Sequence, residues 1–433
     1  MQRPRTGILA VLLLVLFLSH NVQAADGENT IRVGLIQGQQ QVRVMSLGGF
    51  VAINLSSGQL LGEFQPNTAI IFSSEGAGIR VGDQGVYTGP VRLLAASQGF
   101  LYVNGTPYRG ELEVILGNGR LTVVNELPVE EYLYGVVPRE MPANFPLEAL
   151  KAQAVTARTF TYANWNKHLG EGFNLCATVD CQVYGGAAAE TPQTNQAVDS
   201  TRGEVLRYQG RLINAFYHAS SGGYTENSEN VWSEAVPYLR GVPDYETDSP
   251  YRAWSVSYSP EQLTDILCQG GVDVGRVEEI KPLSRGVSGR VSQVRISGSR
   301  GSQVISGNQL RGILGYDELR STLFEVEMQK AGENIIIQPL RADQEVTIIG
   351  GDGQRRKVPV AGVAVLSSNA TAAVGIGQCE AEQVVFKGSG WGHGVGLSQW
   401  GAKAMAEMAP RGDDNYYRTI LRHYFQGAEI EIF

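Results

Sequence analysis

The chain has 433 residues, of which 43% are hydrophobic and 18% are charged, and its formal net charge is −8. This length is enough for two or three domains, each with a hydrophobic core. The acidic balance argues against binding to nucleic acid through its phosphates, so a neutral or sparsely charged polymer is a more natural partner. The 53 glycines are typical of a turn-rich, β-rich protein.

The N-terminus has the pattern of a secretory signal peptide. Arg3 and Arg5 precede an apolar run that ends at Leu18, and Ala24 closes a small-residue cleavage pattern. The run is shorter than the roughly 20 residues that span a bilayer. We therefore expect residues 1–24 to be removed and the mature protein to be exported, to the periplasm or the cell wall, without a membrane span. An uncleaved N-terminal anchor is the alternative.

Residues 25–110 are predicted to form an N-terminal β-rich region. Short β-branched stretches such as IRVGLI, FVAINLS and FLYVNG are separated by Gly, Asn and Asp. No catalytic cluster is evident among them. We interpret the region as a structural platform or a module that faces the wall.

Residues 111–433 mix strands and helices, which predicts an α+β, β-rich fold for the chain. One prominent helix is predicted to start at Leu147, directly after Pro146, and to run to about Asn166 without Gly or Pro. Short helices are predicted near the C-terminus. Residues 330–383 are predicted to be a β-rich insertion.

Four stretches are distinctive: LPVEEYLYGVVPREMP, EALKAQAVTARTF, CATVDCQVYGG and GSGWGHGVGLSQWGA. A glycine-rich stretch such as the last, taken alone, fits any tight loop. Together and in this order, the four resemble the stage II sporulation protein D / LytB family, over residues 111–433. Sporulation members of that family are lytic transglycosylases that cut peptidoglycan glycan strands lacking stem peptides, and LytB members enhance wall amidases.

The resemblance implies an exported lytic transglycosylase that cuts strands of MurNAc and GlcNAc and leaves 1,6-anhydro products. Such an enzyme delivers a proton to the leaving oxygen and needs no second carboxylate as a nucleophile. The alternative is a non-catalytic wall-binding protein that enhances an N-acetylmuramoyl-L-alanine amidase.

Glu140 is the expected catalytic acid, in a loop beside the predicted helix. It lies between Pro138 and Pro142 and close to apolar Val137. Burial there would raise its pKa, and the charge of Arg139 would lower it. The family motif carries its catalytic glutamate at this position. The alternative is an exposed loop glutamate that caps the following helix.

The resemblance also implies a set of substrate-binding residues. They are Lys151, Arg158, Tyr217, Ser220, Ser221, Tyr238, Arg240 and His393. Lys151 and Arg158 could instead form a solvated basic stripe on the helix, and His393, between two glycines, could hold backbone carbonyls. Arg240 departs from the family, which usually has Lys there, so a role that depends on side-chain geometry need not transfer.

Cys176 and Cys181 frame the stretch CATVDC, and His168 precedes it. Thiolates and imidazole are zinc ligands, and structural zinc sites have four ligands. Family members with zinc here often have His directly before the second Cys, where this chain has Asp180, a less favourable ligand among sulfurs. We expect a structural zinc on His168, Cys176 and Cys181, with a Cys176–Cys181 disulfide as the open alternative in an oxidising compartment.

Overall fold

The computed structural model describes residues 29–96, 99–232, 234–246, 248–329 and 382–433, together with short strands between 335 and 376. The chain divides into two compact units. The first unit comprises Met1–Ala219, Ala235–Thr247 and Val395–Phe433, and the second comprises Ser220–Glu234 and Asp248–Gly394. The predicted signal peptide and much of the predicted insertion lie outside the described residues.

Within the described residues, twelve strands precede the first helix. They are β1 (Thr30–Gln39), β2 (Gln41–Ser46), β3 (Phe50–Asn54), β4 (Leu60–Phe64), β5 (Ile70–Glu75), β6 (Gly78–Val81), β7 (Gly85–Tyr87), β8 (Val91–Ala95), β9 (Leu101–Val103), β10 (Thr106–Tyr108), β11 (Glu111–Gly117) and β12 (Arg120–Pro128). Apolar side chains alternate along them, as in β2, where Val42 and Val44 are buried.

These strands form two sheets of the first unit. The six-stranded sheet has the order β10-β9-β2-β5-β6-β7, and the seven-stranded sheet has the order β13-β1-β12-β11-β8-β3-β4, where β13 is Leu175–Cys176. β13 pairs in parallel with β1 at the edge of the larger sheet. This sheet contains strands from both sides of residue 110, where the sequence predicts a domain boundary.

The described helices are α1 (Val129–Glu140), α2 (Leu147–Ala163), α3 (Pro192–Ser200), α4 (Glu229–Trp232), α5 (Pro260–Gln269), α6 (Gly307–Leu314), α7 (Gln399–Glu407) and α8 (Tyr416–Tyr424). The prominent helix α2 starts at Leu147 as predicted and ends three residues before Asn166. Every residue of α2 from Ala149 to Thr161 is buried, so α2 lies in the interior of the first unit. Helices and sheets together confirm the predicted α+β fold class.

The remaining strands are β14 (Glu204–Tyr208), β15 (Arg211–Leu212), β16 (Tyr217–His218), β17 (Trp254–Tyr258), β18 (Val277–Arg285), β19 (Val291–Gly298), β20 (Gly301–Ser306), β21 (Phe324–Gln329), β22 (Ile335–Ile337), β23 (Glu345–Ile349), β24 (Arg355–Pro359), β25 (Leu366–Ser367), β26 (Ala370–Thr371), β27 (Val374–Ile376), β28 (Gln383–Gly388), β29 (Leu397–Ser398) and β30 (Glu429–Ile432). In the first unit β16 pairs in parallel with β29, and β15-β14-β30 form a small sheet.

The second unit contains the sheets β17-β28-β21 and β18-β19-β20. Its core includes Leu263, Val294 and Phe386. Three strand pairs, β22–β27, β23–β24 and β25–β26, lie within residues 330–383. Among the described residues, no helix is both long enough and apolar enough to cross a membrane.

Candidate active site and metal cluster

Glu140 is the last residue of α1, so it lies at a helix end and not in the loop that we predicted. Pro138 is inside the last turn of this helix. A proline has no N–H to donate to the preceding turn, which weakens the helix at this point. The backbone becomes extended at Met141, whose N–H still bonds to the carbonyl of Val137. The position of the Glu140 carboxylate is therefore set by the packed end of α1.

Three groups of the first unit act on the Glu140 carboxylate. The backbone N–H of Val183 donates to Oε1 at 2.8 Å, and the hydroxyl of Tyr217 donates to the same carboxylate. Burial raises the pKa of Glu140, while these two donors and the charge of Arg139 oppose the rise. The net result is a carboxyl that keeps its proton to a higher pH than an exposed glutamate, as a general acid requires.

Gln182 links the hydroxyl of Tyr217, which contacts Glu140, to the helices α1 and α2. The residue is only 1% exposed. Its Oε1 accepts from Oγ1 of Thr161 at 2.9 Å and from the hydroxyl of Tyr132 at 3.4 Å. Its Nε2 lies 3.3 Å from the carbonyl oxygen of Ala157 and 3.3 Å from the hydroxyl oxygen of Tyr217. Sequence reasoning did not select Gln182, because a buried amide that bonds to three separate segments has no local sequence signature.

Arg158 is 0% exposed, so it does not belong to a solvated stripe. Its Nε and Nη2 bond to the two carboxylate oxygens of Glu130, at 2.7 and 2.6 Å. Its remaining hydrogen bonds go to the carbonyls of Val198 and Glu204 and to the hydroxyl of Thr201. The guanidinium therefore holds α1, α2 and the start of β14 together. Direct contact with substrate stays a prediction, and these contacts do not favour it.

Lys151 has a similar environment and is 6% exposed. Its Nζ lies 2.7 Å from Oε1 of Glu148 and 2.7 Å from the carbonyl oxygen of Asp414. The Tyr417 ring lies below the ammonium, at 5.5 Å. The alternative of a solvated basic stripe is therefore wrong for both cations.

Tyr238 and Arg240 also belong to the first unit, and both are half-buried. The hydroxyl of Tyr238 accepts from the N–H of Asn214 at 3.1 Å. The Nε of Arg240 donates to the carbonyls of Val236 and Leu239, each at 3.1 Å. These contacts fix the turn that carries both side chains.

Ser220, Ser221 and His393 lie in the second unit, apart in sequence but on neighbouring segments. Both serines are buried, and Ser220 pairs through its backbone with Trp391. The His393 ring lies 5.0 Å from the ring of Trp232, which is 42% exposed. The structure therefore divides the predicted substrate-binding residues between two units. Those of the first unit are Lys151, Arg158, Tyr217, Tyr238 and Arg240.

His168, Cys176, Asp180 and Cys181 form a cluster in the first unit. One potential ligand atom of each lies within 4.8 Å of the others. The Nε2 of His168 is 3.2 Å from Oδ2 of Asp180, and its Nδ1 is 2.6 Å from Oε1 of Glu171. A carboxylate at the second ring nitrogen is the usual partner that orients a metal-binding imidazole.

The two thiols of this cluster are buried and free. Burial raises the pKa of the Cys181 thiol to about 12. Burial also works against ionisation of Cys176, but hydrogen bonds from Thr178 outweigh it and lower the pKa of that thiol. Two sulfurs, an imidazole nitrogen and a carboxylate oxygen fit a zinc ion. The sequence predicts three ligands, His168, Cys176 and Cys181, and Asp180 offers the fourth ligand atom.

The cluster of potential metal ligands is adjacent along the chain to residues that contact the Glu140 carboxylate and Tyr217. Cys181 is followed directly by Gln182 and Val183, whose contacts reach Tyr217 and Glu140. A structural ion in this cluster would therefore also restrain the backbone that supports the acid.

Comparison with known proteins relates the chain to wall proteins of bacteria. A family model described as "Stage II sporulation protein" matches residues 117–208, and a model of a domain of unknown function matches residues 243–353. The amidase enhancer of Bacillus subtilis is 34% identical, over 69% of this chain and only 40% of its own length. Stage II sporulation protein D of Bacillus amyloliquefaciens is 30% identical, over 71% of this chain and 75% of that protein. An uncharacterized protein of Brachyspira hyodysenteriae is 27% identical over 95% of both chains.

Proposed function

The chain belongs to the stage II sporulation protein D / LytB family, and from this premise we propose that it is an exported lytic transglycosylase acting on peptidoglycan. A role in the cell wall fits the names of its relatives. The observation that carries the enzymatic proposal is the Glu140 carboxyl, whose pKa is raised by burial and which accepts hydrogen bonds from Val183 and Tyr217. Its substrate would be glycan strands of MurNAc and GlcNAc that lack stem peptides.

The proposed reaction has two proton transfers, both at Glu140. In the first, the carboxyl donates its proton to the oxygen that joins C1 of MurNAc to GlcNAc, and the C1–O bond breaks. In the second, the carboxylate takes the proton of the MurNAc C6 hydroxyl while that oxygen bonds to C1. The product is a 1,6-anhydro ring, no water is consumed, and Glu140 is protonated again.

A group that first gives and then takes a proton works best when its pKa is near the working pH. Burial alone would make the Glu140 carboxylate a strong base and a weak acid. The N–H of Val183 and the hydroxyl of Tyr217 act against burial by stabilising the ionised form. This balance suits the double role.

We also propose that His168, Cys176, Asp180 and Cys181 hold a structural zinc ion. Four protein ligands leave no open position for substrate, so the metal would stabilise the fold and not activate water. These residues would tie the loop after α2 to β13, next to the backbone that contacts Glu140.

The amidase enhancer relative favours a second candidate function. In it, the protein binds the wall and stimulates an N-acetylmuramoyl-L-alanine amidase without cutting glycan. The two functions share the glycan strand as a partner. They differ in whether Glu140 is needed.

The test is to incubate the purified protein with glycan strands freed of stem peptides and to analyse the products by mass spectrometry. We expect 1,6-anhydro ends with the wild type and none with Glu140→Gln. Glu131→Gln, on the same helix, is the matched control and should cut normally. Cleavage by Glu140→Gln would refute the assignment of the acid. Absence of cleavage, together with stimulation of an amidase that Glu140→Gln retains, would establish the second function.

A further inference from the structure

We propose that Gln182 is a positioning residue for Glu140, and that it acts by fixing the direction of the Tyr217 hydroxyl; the role in catalysis rests on the proposed function. Gln182 is 1% exposed and lies next to Val183, which donates to Glu140 directly. The backbone of Val183 thus contacts the carboxylate directly, and the Gln182 side chain contacts Tyr217, which in turn donates to the carboxylate.

The orientation of the Gln182 amide follows from one neighbour that can only accept. The group of Gln182 that lies 3.3 Å from the carbonyl oxygen of Ala157 must be the NH₂, because two facing acceptors would repel each other. On the other side, Oε1 lies 3.4 Å from the hydroxyl of Tyr132, which can donate to it, and 2.9 Å from that of Thr161, whose single hydrogen is shared with the Ala157 carbonyl. A flipped amide would place Oε1 against the Ala157 carbonyl, so the chemistry selects one orientation.

This orientation determines what the hydroxyl of Tyr217 does. The NH₂ of Gln182 has two hydrogens, one for the Ala157 carbonyl and one for the Tyr217 oxygen at 3.3 Å. The Tyr217 oxygen is thereby held as an acceptor on this side, and its single hydrogen turns to the carboxylate of Glu140. The hydrogen bonds run in one direction, from Gln182 to Tyr217 to Glu140.

The consequence is a hydroxyl that stabilises the ionised form of Glu140. Without the amide, the Tyr217 hydroxyl is free to rotate and to accept a hydrogen bond from the protonated carboxyl instead. That exchange favours the neutral form and raises the pKa of Glu140 further. The other charged or titratable groups that act at this site are Arg139, which lowers the pKa of Glu140, and Tyr132, itself buried.

The experiment measures the titration of Glu140 in the full-length protein by carbon NMR of labelled glutamate, with Glu140→Gln to identify the signal. Gln182→Met keeps the volume and removes the donor, and Tyr217→Phe removes the hydroxyl. We expect the pKa of Glu140 to rise in each variant. In the double variant it should equal the value in Tyr217→Phe alone, because Gln182 acts through Tyr217.

On glycan strands, Gln182→Met should lower kcat about tenfold, the effect of losing one hydrogen bond that is aligned by the site. The alkaline limb of its kcat/KM profile should move to higher pH. Gln153→Met is the matched control: this glutamine is also buried, but it lies on α2 and its Oε1 accepts from Gln399. It should leave the titration of Glu140 unchanged.

An unchanged pKa of Glu140 in Gln182→Met would overturn the proposal. The proposal would also be overturned if Gln182→Met raised the pKa of Glu140 as much in the Tyr217→Phe variant as it does in the wild type. If Gln182→Met does not fold, Gln182→Asn serves, since its shorter side chain keeps the amide but no longer reaches Tyr217. The titration needs no substrate. Failure of the wild-type protein to cut glycan would therefore refute the proposed function and leave this hydrogen-bond chain to be decided by NMR.

Discussion

The backbone N–H of Val183 donates to Oε1 of Glu140 at 2.8 Å. Val183 is two positions after Cys181, so the loop with the four candidate metal ligands continues directly into contact with the carboxylate. The acid is thus supported from outside its own helix. We therefore expect changes in the loop that carries the candidate metal ligands to alter the surroundings of the Glu140 carboxylate.

Glu140→Gln should stabilise the protein at neutral pH. Because burial raises the folded-state pKa of Glu140 above its unfolded value, ionisation disfavours the folded state. This loss of stability begins as the pH rises through the unfolded pKa of about 4.3 and is complete above the folded pKa. Thermal melts should show Glu140→Gln a few degrees more stable at pH 7 and equal to the wild type at low pH. A stabilisation that is the same at both pH values would contradict the raised pKa.

Arg158→Met should destabilise the protein by about 3–5 kcal/mol, because it leaves the buried carboxylate of Glu130 without its charged partner. Arg202→Ala, which breaks an exposed pair with Asp199, is the control and should cost no more than about 1 kcal/mol. Urea unfolding measures both. A full loss of glycan cleavage with unchanged stability would instead support the predicted contact between Arg158 and substrate.

The purified protein should contain about one equivalent of zinc, as a single structural site requires. A chelator should lower its melting temperature, since binding of the metal stabilises the folded state. Cys176→Ser should lose the metal, and Cys268→Ser, at a free exposed cysteine, should keep it. Metal-free protein with a Cys176–Cys181 disulfide, found by peptide mapping, would remove the zinc assignment.

The start of α2 could be predicted because its signals are local. Pro146 favours a helix start, and the residues after Leu147 are good helix formers without Gly or Pro. The end of α1 was harder, because Pro138 lies inside its last turn and normally indicates the end of a helix. The sequence therefore predicts a loop at Glu140, although the identification of Glu140 as the candidate acid does not depend on that prediction.

The environment of Arg158 could not be predicted from helix periodicity. The spacing places Lys151 and Arg158 along one side of α2, but it does not show that other parts of the first unit bury this side. The partner of Arg158, Glu130, lies 28 residues away, and only the folded first unit brings them together. Asp180 is a comparable case, since its distance from His168 depends on the turn at Leu169–Glu171.

The most direct test of the account is the reaction of the purified protein with stripped glycan strands in water enriched in heavy oxygen. Mass spectrometry should find 1,6-anhydro ends without the label, because the C6 hydroxyl of the sugar and not water closes on C1, and Glu140→Gln should give no product. Labelled reducing ends would show a hydrolase. Unlabelled anhydro ends formed equally by Glu140→Gln would contradict the central claim that Glu140 is the acid.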